Sequence, residues 1–156
     1  MTLVGLISDT HGLLRREVVA ALAGVDYILH AGDIGGPKIL DELRAIAPVT
    51  VVRGNVDTEP WWADLPGDAV VTIDGVKIYM IHSVAEMKIF PHSENIAVVV
   101  CGHTHNPLIE KLDSVLYVNP GSAGPHRFSL PVSIGFLRLS PDAPVEAWLK
   151  TLDGKV

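Results

Sequence analysis

The chain has 156 residues, of which 48% are hydrophobic, and its formal net charge at pH 7 is −6. This length predicts one domain spanning residues 1–156, with enough apolar residues for a sizeable core. The acidic balance argues against a broad nucleic-acid-binding surface, which needs clustered lysine and arginine side chains. A small phosphodiester or nucleotide substrate remains compatible with this charge, because bound cations would cancel part of it locally.

The number of cysteines and the lengths of the apolar runs indicate in which cellular compartment the protein is expected. Cys101 is the only cysteine, so no internal disulfide can form, and a reducing cytoplasm fits best. The amino terminus lacks the basic segment of a signal peptide, and Asp9 interrupts its apolar stretch early. No apolar run approaches the roughly 18 residues that suggest a membrane span. We therefore expect a cytoplasmic protein without a membrane segment.

Three continuous apolar runs in the first third of the chain each end in a short polar motif, a pattern typical of strands buried on both faces. Helical patterns separate them, one over Arg15–Leu22 with Gly24 as its cap and one from Ile39 through Ile46 to Pro48. In an open βαβ sheet the carboxyl ends of the strands lie together, so the motifs should gather there. The strands with their motifs are Leu3–Ile7 with Asp9-Thr10-His11, Tyr27–Ala31 with Gly32-Asp33, and Val49–Val52 with Gly54-Asn55.

The second half of the chain has mainly strand patterns. Asp74-Gly75 predicts a two-residue turn between Val70–Ile73 and Val76–Ile81, and the second of these strands ends at His82. The segment Val84–Asn95 has only a weak helical pattern, which Pro91 breaks. Further strands are predicted at Ile96–Cys101, followed by Gly102-His103-Thr104-His105, and at Val115–Val118, Ser133–Leu139 and Val145–Leu149.

Each polar motif alone has a structural explanation, such as a turn, a helix cap or a buried core histidine. The pair His103 and His105 is more specific, because two imidazoles two residues apart form turns poorly but are good metal ligands. Together the motifs supply seven ligands at strand ends, a number that suits two metal ions sharing one carboxylate. The seven are Asp9, His11, Asp33, Asn55, His82, His103 and His105.

These motifs, together with Asn119-Pro120-Gly121-Ser122, resemble those of the calcineurin-like phosphoesterases, the metallophosphoesterase superfamily, and especially its compact prokaryotic phosphodiesterases. The resemblance covers nearly the whole chain. It implies an α/β sandwich of two mixed β-sheets flanked by helices, with the metal site at the carboxyl ends of strands. It also implies that one metal is held by Asp9, His11 and His105, the other by Asn55, His82 and His103, and that Asp33 bridges them.

The expected activity is hydrolysis of phosphodiesters by in-line attack of a hydroxide that bridges the two metals. Asp33, Asn55 and His103 are the candidate catalytic residues. Carboxylate ligands favour manganese, our first choice, whereas imidazoles leave iron, nickel and zinc open.

Four neighbouring residues are candidates for supporting roles. Asn55 and Arg127 could contact the substrate phosphate, although a solvated surface arginine is an equal alternative for Arg127. Asp57 or Asn119 could orient a ligand histidine. A purely structural turn at Asn119-Pro120-Gly121 is equally compatible with these residues.

The chain departs from the family pattern at two places. Many members have a histidine after the motif asparagine, where it protonates the leaving alkoxide, but this chain has Val56. We therefore expect a preference for phosphodiesters, particularly those with acidic leaving groups. After the position of His82 the family commonly has glycine and often another histidine, whereas this chain has Ser83 and Val84. If the glycine position needs a positive φ, the serine would adopt it at some cost.

Two other functions remain open. The same fold serves as a protein-interaction scaffold in the retromer subunit, where the ligand positions are partly replaced, and the intact set of seven here favours catalysis. A binuclear hydrolase could also act on another bond, but deaminase and HExxH motifs are absent. The resemblance suggests a dimer or larger homo-oligomer, with Trp61, Trp62 and Phe90 as candidate contacts, while the tryptophans could equally be a substrate wall or ordinary packing.

Overall fold

The computed structural model describes residues 1–58, 60–127 and 129–152, apart from the side chains of Trp61 and Trp62. Within these ranges ten strands form two five-stranded sheets. The strands are β1 (Thr2–Ile7), β2 (Tyr27–His30), β3 (Val49–Val51), β4 (Asp68–Ile73), β5 (Val76–Ile81), β6 (Val98–Val100), β7 (Leu108–Leu112), β8 (Val115–Asn119), β9 (Ser133–Ser140) and β10 (Ala143–Thr151). The helices are α1 (Arg16–Ala21) and α2 (Pro37–Arg44), and short 3₁₀ turns cover Pro60–Asp64 and Val84–Glu86.

The first sheet has the strand order β10-β9-β1-β2-β3. Strands β1, β2 and β3 are parallel, whereas β9 and β10 pair antiparallel to them and to each other. Helices α1 and α2 connect the parallel strands, and both bury apolar side chains such as Val18 and Leu40 against the outer face of this sheet. The βαβ pattern read from the sequence is therefore confirmed.

The second sheet has the strand order β4-β5-β6-β8-β7. The hairpin of β4 and β5 is confirmed, since Ile73 pairs with Val76 and the turn residues Asp74 and Gly75 have φ values of 50° and 77°. Two positive φ values in succession are what a tight hairpin turn requires, which explains the Asp-Gly pair. Strands β5, β6 and β8 are parallel, so this sheet is also mixed, as expected.

The two sheets face each other across a core of small aliphatic side chains, among them Leu6, Met80 and Val100. The outer face of the second sheet carries no helix longer than a turn among the described residues. Instead, Met87, Ile89 and Ile96 from the irregular segment between β5 and β6 cover part of it. No described helix has the length and apolar content needed to cross a membrane.

Strand β7 was not predicted from the sequence. It is an edge strand whose residues are mostly exposed, and its apolar side chains at Leu108 and Leu112 lie on one face with Glu110 between them. Because no buried run marks such a strand, the periodicity that identified the central strands is absent here.

Candidate metal centre

The predicted ligands lie at the carboxyl ends of strands from both sheets. The loops after β1, β2 and β3 carry Asp9, His11, Asp33 and Asn55, and the loops after β5 and β6 carry His82, His103 and His105. The two sheets meet at this edge, where the N–H of His103, after β6, donates to Oδ2 of Asp9, after β1, at 3.1 Å.

The loops after β1 and β2 are hydrogen-bonded to each other beyond the ends of their strands. The N–H of Asp9 donates to the carbonyl of Gly32 at 3.0 Å, and the N–H of His11 donates to the carbonyl of Asp33 at 2.9 Å. Backbone hydrogen bonds alone therefore fix the distance between the two loops that carry the carboxylates.

Five of the seven candidate ligands have an unusual backbone conformation. Nine described non-glycine residues have positive φ, and five of them are candidate ligands. This conformation is costly for residues with a Cβ and persists where the surrounding structure enforces it, often at functional sites. The five are Asp9, His11, Asp33, His103 and His105, with φ between 46° and 72°.

Two glycines allow the loops to approach the carboxylates closely. A Cβ at Gly54 would overlap Oδ1 and the backbone nitrogen of Asp33, and a Cβ at Gly102 would overlap Ser8 Oγ and lie 2.7 Å from Asp9 Oδ2. Glycine is therefore needed in each of these motifs, because a Cβ would overlap atoms at or next to a candidate ligand.

Asp9 lies at the centre of the cluster and is fully buried. Its Oδ2 accepts hydrogen bonds from the Ser8 hydroxyl at 2.7 Å and from the N–H of His103 at 3.1 Å. Its Oδ1 faces three imidazoles, with the Nε2 atoms of His105, His11 and His82 at 3.3, 3.7 and 3.8 Å. One carboxylate oxygen thus contacts ring nitrogens from both sheets.

Asp33 and His82 form the second close contact. Asp33 Oδ2 lies 3.1 Å from His82 Nε2, and Asp33 Oδ1 accepts the N–H of Val56 at 3.0 Å. His82 Nδ1 lies 2.7 Å from the carbonyl of Ala31, so Nδ1 carries the proton and donates it to that carbonyl. In the neutral ring, Nε2 is then unprotonated and directed at the carboxylates, as metal ligation requires.

The electrostatics favour charged carboxylates. Burial raises the pKa of Asp33, but its contacts with His82 and with the N–H of Val56 outweigh this and lower it to about 2. Burial likewise opposes ionisation of Asp9, yet contacts with His11 and Ser8 lower its pKa below the usual 3.8. Burial lowers the pKa of His82, but the nearby carboxylates raise it overall. Two buried carboxylates therefore stay ionised at neutral pH and attract cations.

Four buried polar atoms in the cluster have no hydrogen-bond partner among the described residues: Asp9 Oδ1, His11 Nε2, His82 Nε2 and His105 Nδ1. Leaving such groups unpaired costs about 1–3 kcal/mol each, so a folded protein rarely collects them without a ligand. Two sets of potential ligand atoms lie within 4.8 Å of one another, Asp9 with His11 and His105, and Asp9 with Asp33 and His82. Carboxylate and imidazole donors in two overlapping sets fit divalent cations.

The remaining two predicted ligands are more exposed. His103 contacts the His82 ring edge to face, with centroids 5.3 Å apart. Asn55 lies beside His82 along a polar cleft of about 310 Å³ that also includes Arg53 and Lys88. The structure therefore places Asn55 and His103 near His82, at the exposed rim of the cluster.

Asp57 and Asn119 support the cluster through the backbone and not through a histidine ring. The Asp57 carboxylate accepts the N–H groups of Asp33, Ile34 and Gly54 at 2.9 to 3.0 Å. The Asn119 amide donates to the Gly102 carbonyl and to Thr104 Oγ1, and its Oδ1 accepts the N–H of Gly121. Asn119 thus forms the structural turn of its own motif and also holds the loop of His103 and His105.

His30 has a supporting role that the sequence did not reveal. The Thr10 hydroxyl donates to the Ile34 carbonyl, so it accepts from His30 Nε2–H at 3.0 Å, while His30 Nδ1 accepts the N–H of Gly32. Complete burial lowers the pKa of His30 to about 4, which keeps the ring neutral in this tautomer. A histidine inside an apolar strand was the only available signal.

The other predicted positions differ in outcome. Arg127 lies close enough to His105 for its charge to add to the effect of burial, which lowers the pKa of that histidine. Ser83 has φ −119°, so the strain considered for that position is absent. Phe90 is 81% exposed, while the side chains of Trp61 and Trp62 lie outside the described residues.

Fold and site together place the chain in the metallophosphoesterase class, since two mixed sheets present carboxylates and imidazoles at one shared edge. The sequence profile of the calcineurin-like phosphoesterase superfamily domain matches residues 2–142, and the chain belongs to that superfamily.

Individual relatives agree with this assignment. A probable metallophosphoesterase of Methanocaldococcus jannaschii is 32% identical over 160 residues, covering 94% of this chain and 80% of that protein. A phosphodiesterase of the same archaeon is 30% identical over 154 residues, covering 86% and 91% of the two chains. The structure of Vps29 from Cryptosporidium parvum has a TM-score of 0.78 at 22% identity and covers 96% of each chain, which is a likeness of fold.

Proposed function

We propose that the protein is a phosphodiesterase that uses two divalent cations at the cluster of Asp9, Asp33 and the four histidines around them. The observation that carries the proposal is the set of buried carboxylate and imidazole atoms that face one another without hydrogen-bond partners. The phosphodiesterase relative from M. jannaschii supports the same substrate class.

The residues fit two cations that share a carboxylate. Asp9, His11 and His105 would hold the first, His82, Asn55 and His103 would hold the second, and Asp33 would lie between them. Manganese is the first choice because the shared ligands are carboxylates, and the imidazoles also suit iron, nickel or zinc. When bound, the cations would supply Lewis acidity toward the phosphate and a nucleophile at neutral pH.

The chain's own groups would position the substrate and keep the site charged. Asp33 stays ionised because contacts with His82 and Val56 hold its pKa near 2. Arg127, whose charge reaches His105, supplies a cation next to the cluster that suits a phosphate oxygen. Asn55 offers an uncharged amide donor at the rim, where a phosphate would enter.

No side chain at position 56 can donate a proton to the leaving group. The Val56 side chain is 46% exposed and chemically inert, while its N–H is bound to Asp33. Without general acid catalysis, which typically contributes about 10²–10⁴-fold, poor leaving groups should react slowly. We therefore propose a preference for phosphodiesters whose leaving group is acidic.

The test compares two nitrophenyl substrates with the same leaving group. The purified protein is stripped of metal, reloaded with Mn²⁺, and assayed on bis-p-nitrophenyl phosphate and on p-nitrophenyl phosphate. The proposal expects a higher kcat/KM on the diester and a steep fall in rate across diesters whose leaving phenols have increasing pKa. Faster turnover of the monoester would refute the preference for diesters.

A protein-interaction scaffold is the second candidate function. The likeness of fold to Vps29, with a TM-score of 0.78 over 96% of each chain, supports it. The candidates separate on one measurement: a scaffold would bind cations yet leave every diester of the series unhydrolysed.

A further inference from the structure

A second cleft begins at the rim of the cluster and leads away from it. It has a volume of about 580 Å³ and runs from Ser83 and His103 along the outer face of β8 and β7 to Leu112. Its size lies in the range of small-molecule sites. The cleft and the cluster share His103, so a group in the cleft would lie beside the phosphate.

The sheet register explains why this cleft is apolar. Side chains alternate along β7, so Leu108, Glu110 and Leu112 lie on one face. Tyr117 pairs with Glu110 across the strands and lines the same cleft. Leu108 and Leu112 are 48% and 50% exposed, and neither belongs to the apolar cluster that covers β5 and β6. The face thus keeps apolar side chains in contact with solvent.

The two clefts beside the cluster have opposite chemistry. No lysine or arginine is among the described residues that line the larger cleft, and Glu110 is its one carboxylate. The smaller cleft includes Arg53 and Lys88, with Glu86 as an exposed carboxylate and Asp57 occupied by backbone N–H groups. Ser83 lines both clefts, so they diverge from one point at the candidate metal centre.

We propose that the larger cleft is a specificity subsite for one uncharged, apolar or aromatic group of an asymmetric phosphodiester. The other ester group, hydrophilic or anionic, lies toward Arg53 and Lys88. Leu108, Leu112 and Tyr117 are then the residues that determine specificity. This inference rests on the proposed phosphodiesterase function and names the substrate class of that site.

The first test is a series of three competing diesters that differ only in their phenyl groups. Dimethyl, methyl phenyl and diphenyl phosphate are measured as competitive inhibitors of bis-p-nitrophenyl phosphate hydrolysis by the Mn²⁺-loaded protein. Partial burial of one phenyl ring should lower the inhibition constant about tenfold from dimethyl to methyl phenyl phosphate. The second phenyl ring should lower it less than about threefold further, because only one of the two clefts beside the cluster has an apolar wall.

Matched variants test whether the gain in affinity from the first phenyl ring comes from the larger cleft. The double variant Leu108→Gln/Leu112→Gln should reduce the tenfold ratio to about twofold, since both changes make an exposed apolar wall polar. Val70→Gln is the control, because Val70 is a 51% exposed residue of the same sheet that lines neither cleft. The control should keep the ratio of the wild type.

A second measurement does not depend on metal or turnover. The amide resonances of the metal-free protein are followed by NMR during titration with benzyl alcohol, an uncharged aromatic probe. Shifts should concentrate at residues 102–104, 108–112 and 117 and weaken in the double variant.

The outcomes separate this inference from the function on which it rests. If bis-p-nitrophenyl phosphate is hydrolysed but the three inhibitors bind alike, or the benzyl alcohol shifts map elsewhere, the subsite is refuted and the phosphodiesterase remains. If no diester is hydrolysed, the proposed function fails and the subsite falls with it.

Discussion

The candidate metal centre has a buried half and an exposed half, and the two are built differently. Asp9 and Asp33 are 0% and 3% exposed, and backbone hydrogen bonds join the loops that carry them. Asn55 and His103 are exposed, and their side chains form no hydrogen bond to another described residue. The buried half is therefore held in place before a ligand arrives, whereas the Asn55 and His103 side chains are not, although the His103 backbone N–H is bonded to Asp9.

This difference has an energetic consequence. The buried half brings two ionised carboxylates together, which is unfavourable without a cation, so a cation there gains the largest electrostatic stabilisation. The exposed half must order two side chains when it binds, which costs conformational entropy. We expect one cation to bind tightly in the buried half and a second to bind more weakly at the rim.

The largest expected effect comes from Asp33, which contacts His82 and His11 and serves both halves. Asp33→Asn keeps the shape and an oxygen for the N–H of Val56 but removes the charge. The kcat/KM on bis-p-nitrophenyl phosphate should fall about 10³-fold, as when a preorganised electrostatic group is lost. Steady-state kinetics at saturating Mn²⁺ measure this.

Asp41→Asn is the matched control for that substitution. Asp41 is an exposed residue of α2 whose nearest ion pair, with Arg44, spans 4.0 Å at the surface. Its removal should leave kcat/KM unchanged. Retention of more than a tenth of the activity by Asp33→Asn would show that the charge is not needed.

The second effect concerns His30, whose ring is hydrogen-bonded to the loops that carry Asp9 and Asp33. Its pKa is about 4 in the folded protein and about 6.5 when unfolded, so between these values the unfolded chain binds the extra proton. The free energy of unfolding should therefore fall as pH drops from 6.5 to 4, by about 3 kcal/mol from this group. Urea denaturation of the metal-free protein at pH 7 and pH 4 measures the fall.

His30→Gln isolates this contribution from the other titrating groups. The carboxylates raise the pKa of His82, so that histidine has the opposite pH dependence, and it is present in both proteins. The variant should lose less stability than the wild type between pH 7 and pH 4. Equal losses would mean that His30 does not titrate in this window.

The strand-end positions of the candidate ligands in both halves could be predicted from the sequence. Apolar runs that end in Asp-Thr-His, Gly-Asp and Gly-His-Thr-His place ligands at strand ends, and the parallel strands bring those ends together. Both mixed sheets and the Asp74-Gly75 turn followed from periodicity, turn chemistry and the family resemblance.

The features that were not predicted from the sequence have no such pattern in the neighbouring residues. Strand β7 has no buried run, because it lies at an edge with exposed Leu108 and Leu112. The role of His30 depends on contacts with Thr10 and Gly32 that only the folded chain creates. Asp57 was expected to orient a histidine, but three N–H groups from two loops converge on it, which no spacing in the sequence encodes.

The third prediction separates the two halves by metal stoichiometry. Asn55→Ala removes a proposed ligand of the exposed half and leaves the carboxylates in place. It should lower kcat/KM at least about 10- to 100-fold, the loss typical of removing a group that only orients a metal ligand. Titration calorimetry with Mn²⁺ should then show the tight cation retained and the weak one lost. Loss of both cations would contradict the division into a buried and an exposed half.

The smallest expected effect is a gain at the exposed rim. Val56 has a 46% exposed side chain, and its N–H already holds Asp33, so Val56→His adds a proton donor without disturbing the buried half. An unoptimised general acid should raise the rate about tenfold for a diester with phenol as leaving group and leave p-nitrophenyl diesters nearly unchanged. Val70→His, at an exposed position that lines neither cleft, is the control. If Val56→His accelerates both leaving groups equally, the missing proton donor does not explain the leaving-group preference, because general acid help is worth most where the departing oxygen is most basic.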